Sequence, residues 1–407
     1  MPTFSKSVSW ADIFYILGLC PCFSTNRNRQ FQKRMRASRR RLMSLFGREL
    51  FVLFYTLRCL AVPDWRKRHR TVPPIFFAMK KLLSFFLVLV CAMSSFAQTS
   101  LMATLNHEGT ISTFYGVNAL RQAHAAAVSG DVITLSSGTF LSTDITKAVT
   151  IRGAGMDVSK AYDIVSEPTV LGGDFNIKIP AEDTGRLTLE GIFHNGNIWF
   201  SEGQVKNALF LKSRFKEISK SGSCKVQDLT VLNCRISESI DINDGNSAQF
   251  LNSVVKTFYY GNMSFSHCVI LDNHRVSNGG NEYKNCIIIG ESGSVCFSSS
   301  SSAYNNLFIS NETSLLQYVL NNTNLRVPTS DERFAYLRGY NDSKDYKLTD
   351  QNRDVLKATD GGEIGIYGGS LPYSAVPTNP QITKFNVASK TTADGKLSVD
   401  IEVKSGE

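Results

Sequence analysis

Between Gly191 and Asn306 one small residue returns at intervals of 22, 21, 19, 15, 18 and 20 positions, as Gly191, Ser213, Cys234, Ser253, Cys268, Cys286 and Asn306. Two residues after it stand Phe193, Phe215, Ile236, Val255, Ile270, Ile288 and Phe308. Three before it stand Thr188, Phe210, Val231, Phe250, Phe265, Tyr283 and Ala303, and immediately before it Glu190, Lys212, Asn233, Asn252, His267, Asn285 and Asn305. A self-similar period of this length is the mark of a solenoid. The stretch "VQDLTVLNCRI" (226–236) fits a leucine-rich template, but an interval of 15 is too short for a strand, a helix and two loops. The connecting stretches "NDGNSA" and "SNGGNEY" are turn formers, so an all-strand coil is the better solution.

In such a coil the apolar residue before the corner points inward, and Asn tolerates the left-handed backbone of a tight turn. The small residue and the apolar one two positions on then point inward along the next strand. Coils stacked ~4.8 Å apart would place like residues in ladders, with the Asn column forming stacked amides at one corner.

Upstream, Leu120, Ala123 and Ala127 in "YGVNALRQAHAAAVSG" share a helical face that ends near Ser129-Gly130. Alternating strands begin at "VITL" from Val132. Still earlier lies "MKKLLSFFLVLVCAMSSFAQ" (79–98), with Lys80 and Lys81 before an apolar run and small residues at Ser95 and Ala97. This reads as a secretory signal at 79–97, cleaved after Ala97, and places the protein in the periplasm, at the cell surface or outside the cell. The run is too short to span a bilayer, so no transmembrane span is expected in the mature chain. Val90 before Cys91 argues against a lipoprotein.

Residues 1–78 carry 15 Lys/Arg and 3 Asp/Glu without a core-forming period, and read as a basic upstream segment outside the native protein. The chain as a whole has 44 Lys+Arg against 35 Asp+Glu, but residues 79–407 alone hold 29 and 32. The mature part is mildly acidic, so no nucleic-acid partner is expected. Five of the nine cysteines remain in it, Cys224, Cys234, Cys268, Cys286 and Cys296, and no C-x-x-C pair supports zinc. An odd count leaves at least one free thiol. Cys268 and Cys286 share the inward column on neighbouring coils, where a small buried hydrophobe is expected.

The stretch "GDVITLSSGTF…ITKAVTIRGAG" (130–155), the "LNC-I", "SHC-I" and "KNC-I" coils and "GGEIGIYGGSLPY" (361–373) together resemble the pectate-lyase-like right-handed parallel β-helices. The resemblance covers roughly Asn118 to Tyr373 and implies an all-β, right-handed parallel β-helix solenoid. It further implies an N-terminal capping segment at 98–129 with its helix, a β-helix at 130–369 and a C-terminal strand pair at 370–407. The last follows from "PQITKFNVASKTTADGKLSVDIEVKSGE", two strands around an Asp394-Gly395 turn. Such a hairpin must pack or pair, which opens protein adhesion through the tail as a further role. The family includes lyases, hydrolases, adhesins and proteins without catalysis, so the fold leaves activity open.

Seven residues after the small position the sequence reads Ile198, Lys220, Asp241, Tyr260, Arg275, Gly293 and Thr313. Lys220, Asp241, Tyr260 and Arg275 would line one groove over four coils if the register holds. Tyr260 would stack on sugar and the charges would hydrogen-bond it. As a lyase, which the resemblance allows, the protein would use Lys220 or Arg275 as base and Asp241 in a cation site, with calcium as cofactor. The plain reading of such a column is a solvated loop with incidental charges. Asp241 and Asp244 in "SIDINDGN" lack the D-x-D-x-D-G spacing of a calcium loop, which favours a simple turn. The densest ionisable cluster is Asp272, His274 and Arg275 in "LDNHRVSNGG". His267 replaces Asn in the corner column and reads as structural. The expectation is a glycan-binding or structural surface protein, with a polysaccharide lyase or glycoside hydrolase on the same face as the alternative.

Overall fold

The computed structural model describes residues 101–157, 167–242, 245–259, 262–271, 280–290, 300–311, 323–388, 390–392 and 394–404. The upstream segment, the signal, Asp244, Tyr260, Asp272, His274, Arg275 and Cys296 lie outside the described residues.

The described part begins with two antiparallel strands, β1 (Met102–His107) and β2 (Thr110–Tyr115), followed by the helix α1 (Ala119–Ala126). Leu120, Ala123 and Ala127 are buried, the face expected from their spacing. The ammonium of Lys147 donates to the carbonyls of His124, Ala125 and Ala127 at 3.0, 3.1 and 2.6 Å. A cation there satisfies carbonyls that a helix C-terminus leaves without partners.

From Val132 the chain winds into a parallel β-solenoid; among the described residues its strands form a sheet of 12 and, joined by the antiparallel β1 and β2, a sheet of 11. Each full coil gives one strand to the first sheet, turns a corner and gives a second strand to the other. The inward column of the first sheet runs Phe210, Val231, Phe250, Phe265, Tyr283 and Ala303 in direct register. Phe265 stacks on Phe250 and Tyr283 at centroid distances of 4.7 and 5.3 Å. Beyond the corner Phe215, Ile236, Val255, Ile270, Ile288 and Phe308 are likewise in register. Both ladders follow the repeat from its second member onward.

The first member sits one residue off. Phe210 pairs with Leu189 rather than Thr188, and Phe215 with His194 rather than Phe193. The inward small position of that coil is therefore Ile192. Gly191, at φ 63°, stands in the corner column with Lys212, Asn233, Asn252, His267, Asn285 and Asn305, whose φ values lie between 46° and 57°. Glycine occupies the left-handed region without a Cβ penalty, so Gly191 belongs to the corner on physical grounds.

The inward small column holds its cysteines as wholly buried members of the core, as expected, and is a hydrogen-bond relay as well. The Ile192 N–H donates to Ser213 Oγ, Cys234 N–H to Ser253 Oγ, and Cys286 N–H to Asn306 Oδ1, at 3.1, 3.0 and 2.8 Å. Each of these side chains in turn donates back to a main-chain carbonyl, Ser253 Oγ to Leu251 O at 2.8 Å and Asn306 Nδ2 to Tyr283 O at 3.0 Å. Cys234 and Cys286 donate through sulfur in the same way, to Leu232 O and Lys284 O. The corner removes one N–H per coil from the sheet ladder, and a buried N–H requires a partner. Ser, Cys and Asn are the side chains small enough to supply it. Cys224, Cys234, Cys268 and Cys286 are all free thiols.

The corner residues do not simply stack as amides either. Asn285 Nδ2 lies 3.0 Å from His267 Nε2, but the column chiefly holds a strap formed by residues 331–379. Asn305 donates to Lys357 O, Asn285 exchanges two bonds with Thr359, and Asn252 donates to Ile366 O and Gly368 O at 2.9 and 2.8 Å. Higher still, Asn233 meets Pro372 O and Asn379 donates to Gly153 O. The strap thus returns along the corner, coil by coil, against the direction of winding. Beneath it Phe334, Leu337, Tyr346, Leu348, Ile364 and Ile366 bury a second core on the outer side of the solenoid. The chain then forms an antiparallel pair, Gln381–Val387 with Val399–Lys404, in which Ile382, Val387, Val399, Ile401 and Val403 are exposed. Among the described residues no helix is long and apolar enough to cross a membrane.

Candidate functional site

The second strand of the larger coils bends at a register shift, between Phe215 and Glu217 and between Ile236 and Ser239. This divides it into a near leg, just after the corner, and a far leg. In the far leg Ile198, Ile218, Ile240 and Phe258 stack in register and are wholly buried. Successive side chains on a strand face opposite ways, so the next residue of each coil points outward. Those residues are Trp199, Ser219, Asp241 and Tyr259, the last placed by its N–H donating to Ile240 O at 3.0 Å; Asn176, which pairs with Trp199, heads them. Trp199, Asp241 and Tyr259 are half-buried, as side chains standing on the outside of a sheet are.

A second outward column lies two residues upstream and contains Asn197, Glu217, Ser239 and Thr257. Asp174 stands at its head, accepting the Asn197 N–H at 2.7 Å. The Ser219 hydroxyl donates to Glu217 Oε1 at 2.8 Å, which ties the two columns together. Asn176 is fixed from above, its N–H and side-chain amide donating to Asp144 Oδ1 at 2.9 and 3.1 Å. Burial works against ionisation of Asp144, but these bonds and the Lys178 ammonium outweigh it and hold the carboxyl below its ordinary range.

Asp241 belongs to this surface. Lys220 does not share its column: it pairs with Phe200, whereas Asp241 pairs with Ser219. The Lys220 ammonium donates to Gly222 O at 3.3 Å. The register shifts explain the difference. Counted from the inward small position, the buried far-leg residue stands six later at Ile198 and Ile240 but five later at Ile218 and Phe258, so a fixed count of seven drifts between columns. Trp199 and Tyr259 are missed by such a count. The signal that finds them is the pairing of an apolar residue with an outward neighbour in Ile198-Trp199, Ile218-Ser219, Ile240-Asp241 and Phe258-Tyr259.

A partly buried ionisable cluster lies elsewhere. Arg214 stacks on Phe193 at 3.8 Å and pairs with Asp157 and Asp342 at 3.2 and 3.4 Å. Arg235, 5% exposed, donates to the Tyr373 hydroxyl at 2.7 Å and to Asp342 O at 2.9 Å. Burial is the main influence pushing the Tyr373 phenol up. Both arginines are taken up in fastening the strap, so this cluster is a latch.

His194 is also interior, with Nε2 2.9 Å from Gly173 O and its ring edge-on to Phe175. Burial lowers the pKa of His194 and of His267. Among the described residues no group of three or more His, Cys, Asp or Glu side chains is placed to hold a metal ion. No family model, no curated protein and no solved structure matches this chain.

Proposed function

We propose that the protein is an exported, glycan-binding β-solenoid of the pectate-lyase-like kind, wound right-handed and closed at its N-terminal end by α1. In this reading the far leg is the binding face. The observation that carries it is the single outward register of Asn176, Trp199, Ser219, Asp241 and Tyr259 over a fully buried apolar stack. Aromatic rings set among amide, hydroxyl and carboxylate groups offer both what a sugar's C–H face and what its hydroxyls require. Rungs ~4.8 Å apart repeat at about the length of one sugar residue in a chain. The interior fixes the strands rigidly, so binding orders few protein side chains.

The lyase alternative needs a Lys or Arg base beside a cation site. Lys220 and Asp241 fall in different columns, so that pair does not supply it, and Arg275, the other candidate base, lies outside the described residues. The signal at 79–97 supports export, to the periplasm, the cell surface or the medium. The test is affinity electrophoresis of the purified full chain through gels containing a panel of polysaccharides. Ultraviolet absorbance for unsaturated uronates is followed in parallel, with and without calcium. Retardation without product is expected; product formation would replace binding by catalysis.

A further inference from the structure

The charge of the far leg selects among glycans. This step rests on the binding reading just given and adds the chemical class of the ligand. Among the described residues of the two outward columns the charged groups are Asp174, Glu217 and Asp241, and no described Lys or Arg stands in either. Cations occur at the margins, where they meet acids. Lys178 faces Asp144 at 3.2 Å and Lys216 faces Glu238 at 3.6 Å. Lys220 turns its ammonium to the Gly222 carbonyl, and Glu202 adds a further carboxylate in register with Lys178. Lys256 lies at the bend between the legs.

A polyuronate laid along this surface would bring its carboxylates, one per residue, against protein carboxylates. Like charges juxtaposed across an interface repel and select against such a partner. Hydroxyl groups, in contrast, are donors that carboxylates accept well, in charge-assisted bonds stronger than neutral ones. Trp199 and Tyr259 are three rungs apart in the same column, about 14 Å by strand spacing. An extended chain parallel to the solenoid axis can therefore stack on both rings while its hydroxyls reach Glu217 and Asp241 between them, with the buried Ser219 hydroxyl holding Glu217 Oε1 in place. We infer that the far leg binds an uncharged polysaccharide, running along the axis, with Trp199 and Tyr259 as stacking platforms and Glu217 and Asp241 as hydroxyl acceptors.

The experiment uses the full chain in native gels containing a neutral β-glucan, galactomannan or xylan, or the acidic polymers polygalacturonate and alginate. At least one neutral polymer should retard it. Trp199→Ala should weaken that retardation at least tenfold, and Asp241→Asn severalfold, while far-ultraviolet circular dichroism and the melting temperature confirm that both variants fold. Neutral-polymer binding should also persist as salt is raised, because it uses no ion pair. Retardation by the acidic polymers alone would overturn the neutral assignment and leave the glycan-binding reading standing. Neutral binding that survives unchanged in a folded Trp199→Ala variant would overturn the placement on this face. Migration unaffected by every polymer would overturn both the inference and the reading beneath it.

Discussion

Outside the near leg, Val254, Val269, Ile287 and Leu307 occupy one column and are buried beneath the strap. Outside the far leg, the corresponding surface carries Trp199, Ser219, Asp241 and Tyr259. Both legs belong to the same strands in the larger coils and share one interior. What separates them among the described residues is where the strap lies. Where the strap lies, the outward residues are aliphatic and act as a second core, and where its upper part passes the larger coils they become Arg214 and Arg235, held by Asp157, Asp342 and Tyr373. The far leg has polar and aromatic side chains in those positions, a pattern suited to an outside partner rather than to the chain's own packing.

The largest contrast between the legs should appear in stability. Ile287→Ala removes a wholly buried side chain between two sheets of contacts and should cost about 2–5 kcal/mol. Trp199→Ala should stay within ~0.5 kcal/mol of the parent. Chemical denaturation compares the two directly, and an equal loss in both would show that the far leg is as much packing surface as the near one.

Acid should act on neither leg but where α1 packs on the start of the solenoid. His124 accepts the Thr146 N–H in a buried site, and burial, aided by Lys147, lowers its pKa from 6.5 to about 4. The unfolded chain therefore takes up this proton first. The stability it contributes is fully present above pH 6.5 and is lost as the pH falls toward 4. The loss should be on the order of 2 kcal/mol, allowing for partial solvent screening. Melting temperature against pH should fall through this window equally for the parent and for Trp199→Ala, and should flatten in His124→Gln.

Asn252→Ala tests the strap alone. It removes two bonds to Ile366 O and Gly368 O and places Ala at φ 46°, so a loss of about 2 kcal/mol is expected. Proteolysis should open the strap ahead of the coils. Asn252→Gly, which keeps the corner relaxed, separates the lost bonds from the backbone strain. The smallest effect belongs to Cys234→Ser, which preserves the relay and should change stability by less than ~1 kcal/mol, whereas Cys234→Ala forfeits the donor. Burial pushes the Cys234 thiol up to about 12, so alkylation of the native protein at neutral pH should spare it.

The coil, its inward ladders, the helix near Ala119–Ala126 and the two-stranded end were legible in sequence because each rests on local chemistry. Alternation places apolar residues inward, Asn and Gly accept a left-handed corner, and a small polar residue recurs wherever the corner strands an N–H. The first coil was misread by one residue because Gly191 is small enough for the inward position yet is required at the corner, and only pairing with Ser213 and Phe215 distinguishes the two.

The far-leg surface escaped for a related reason. A register shift adds a residue in one coil and not in the next, and nothing local marks which. Fixed counting therefore joined Lys220 to Asp241, while strand pairing joins Asp241 to Ser219, Trp199 and Tyr259. The role of the Asn column was hidden too, since its partners at Thr359, Ile366 and Gly368 lie 74 to 116 residues away. By itself, then, the sequence determined the coil and what faces its interior, through the alternation of each strand and the backbone freedom of each corner. Only the tertiary structure decided which outer face the strap covers and which side chains meet on the other, because both depend on where a distant strap lies and how bulged strands come into register.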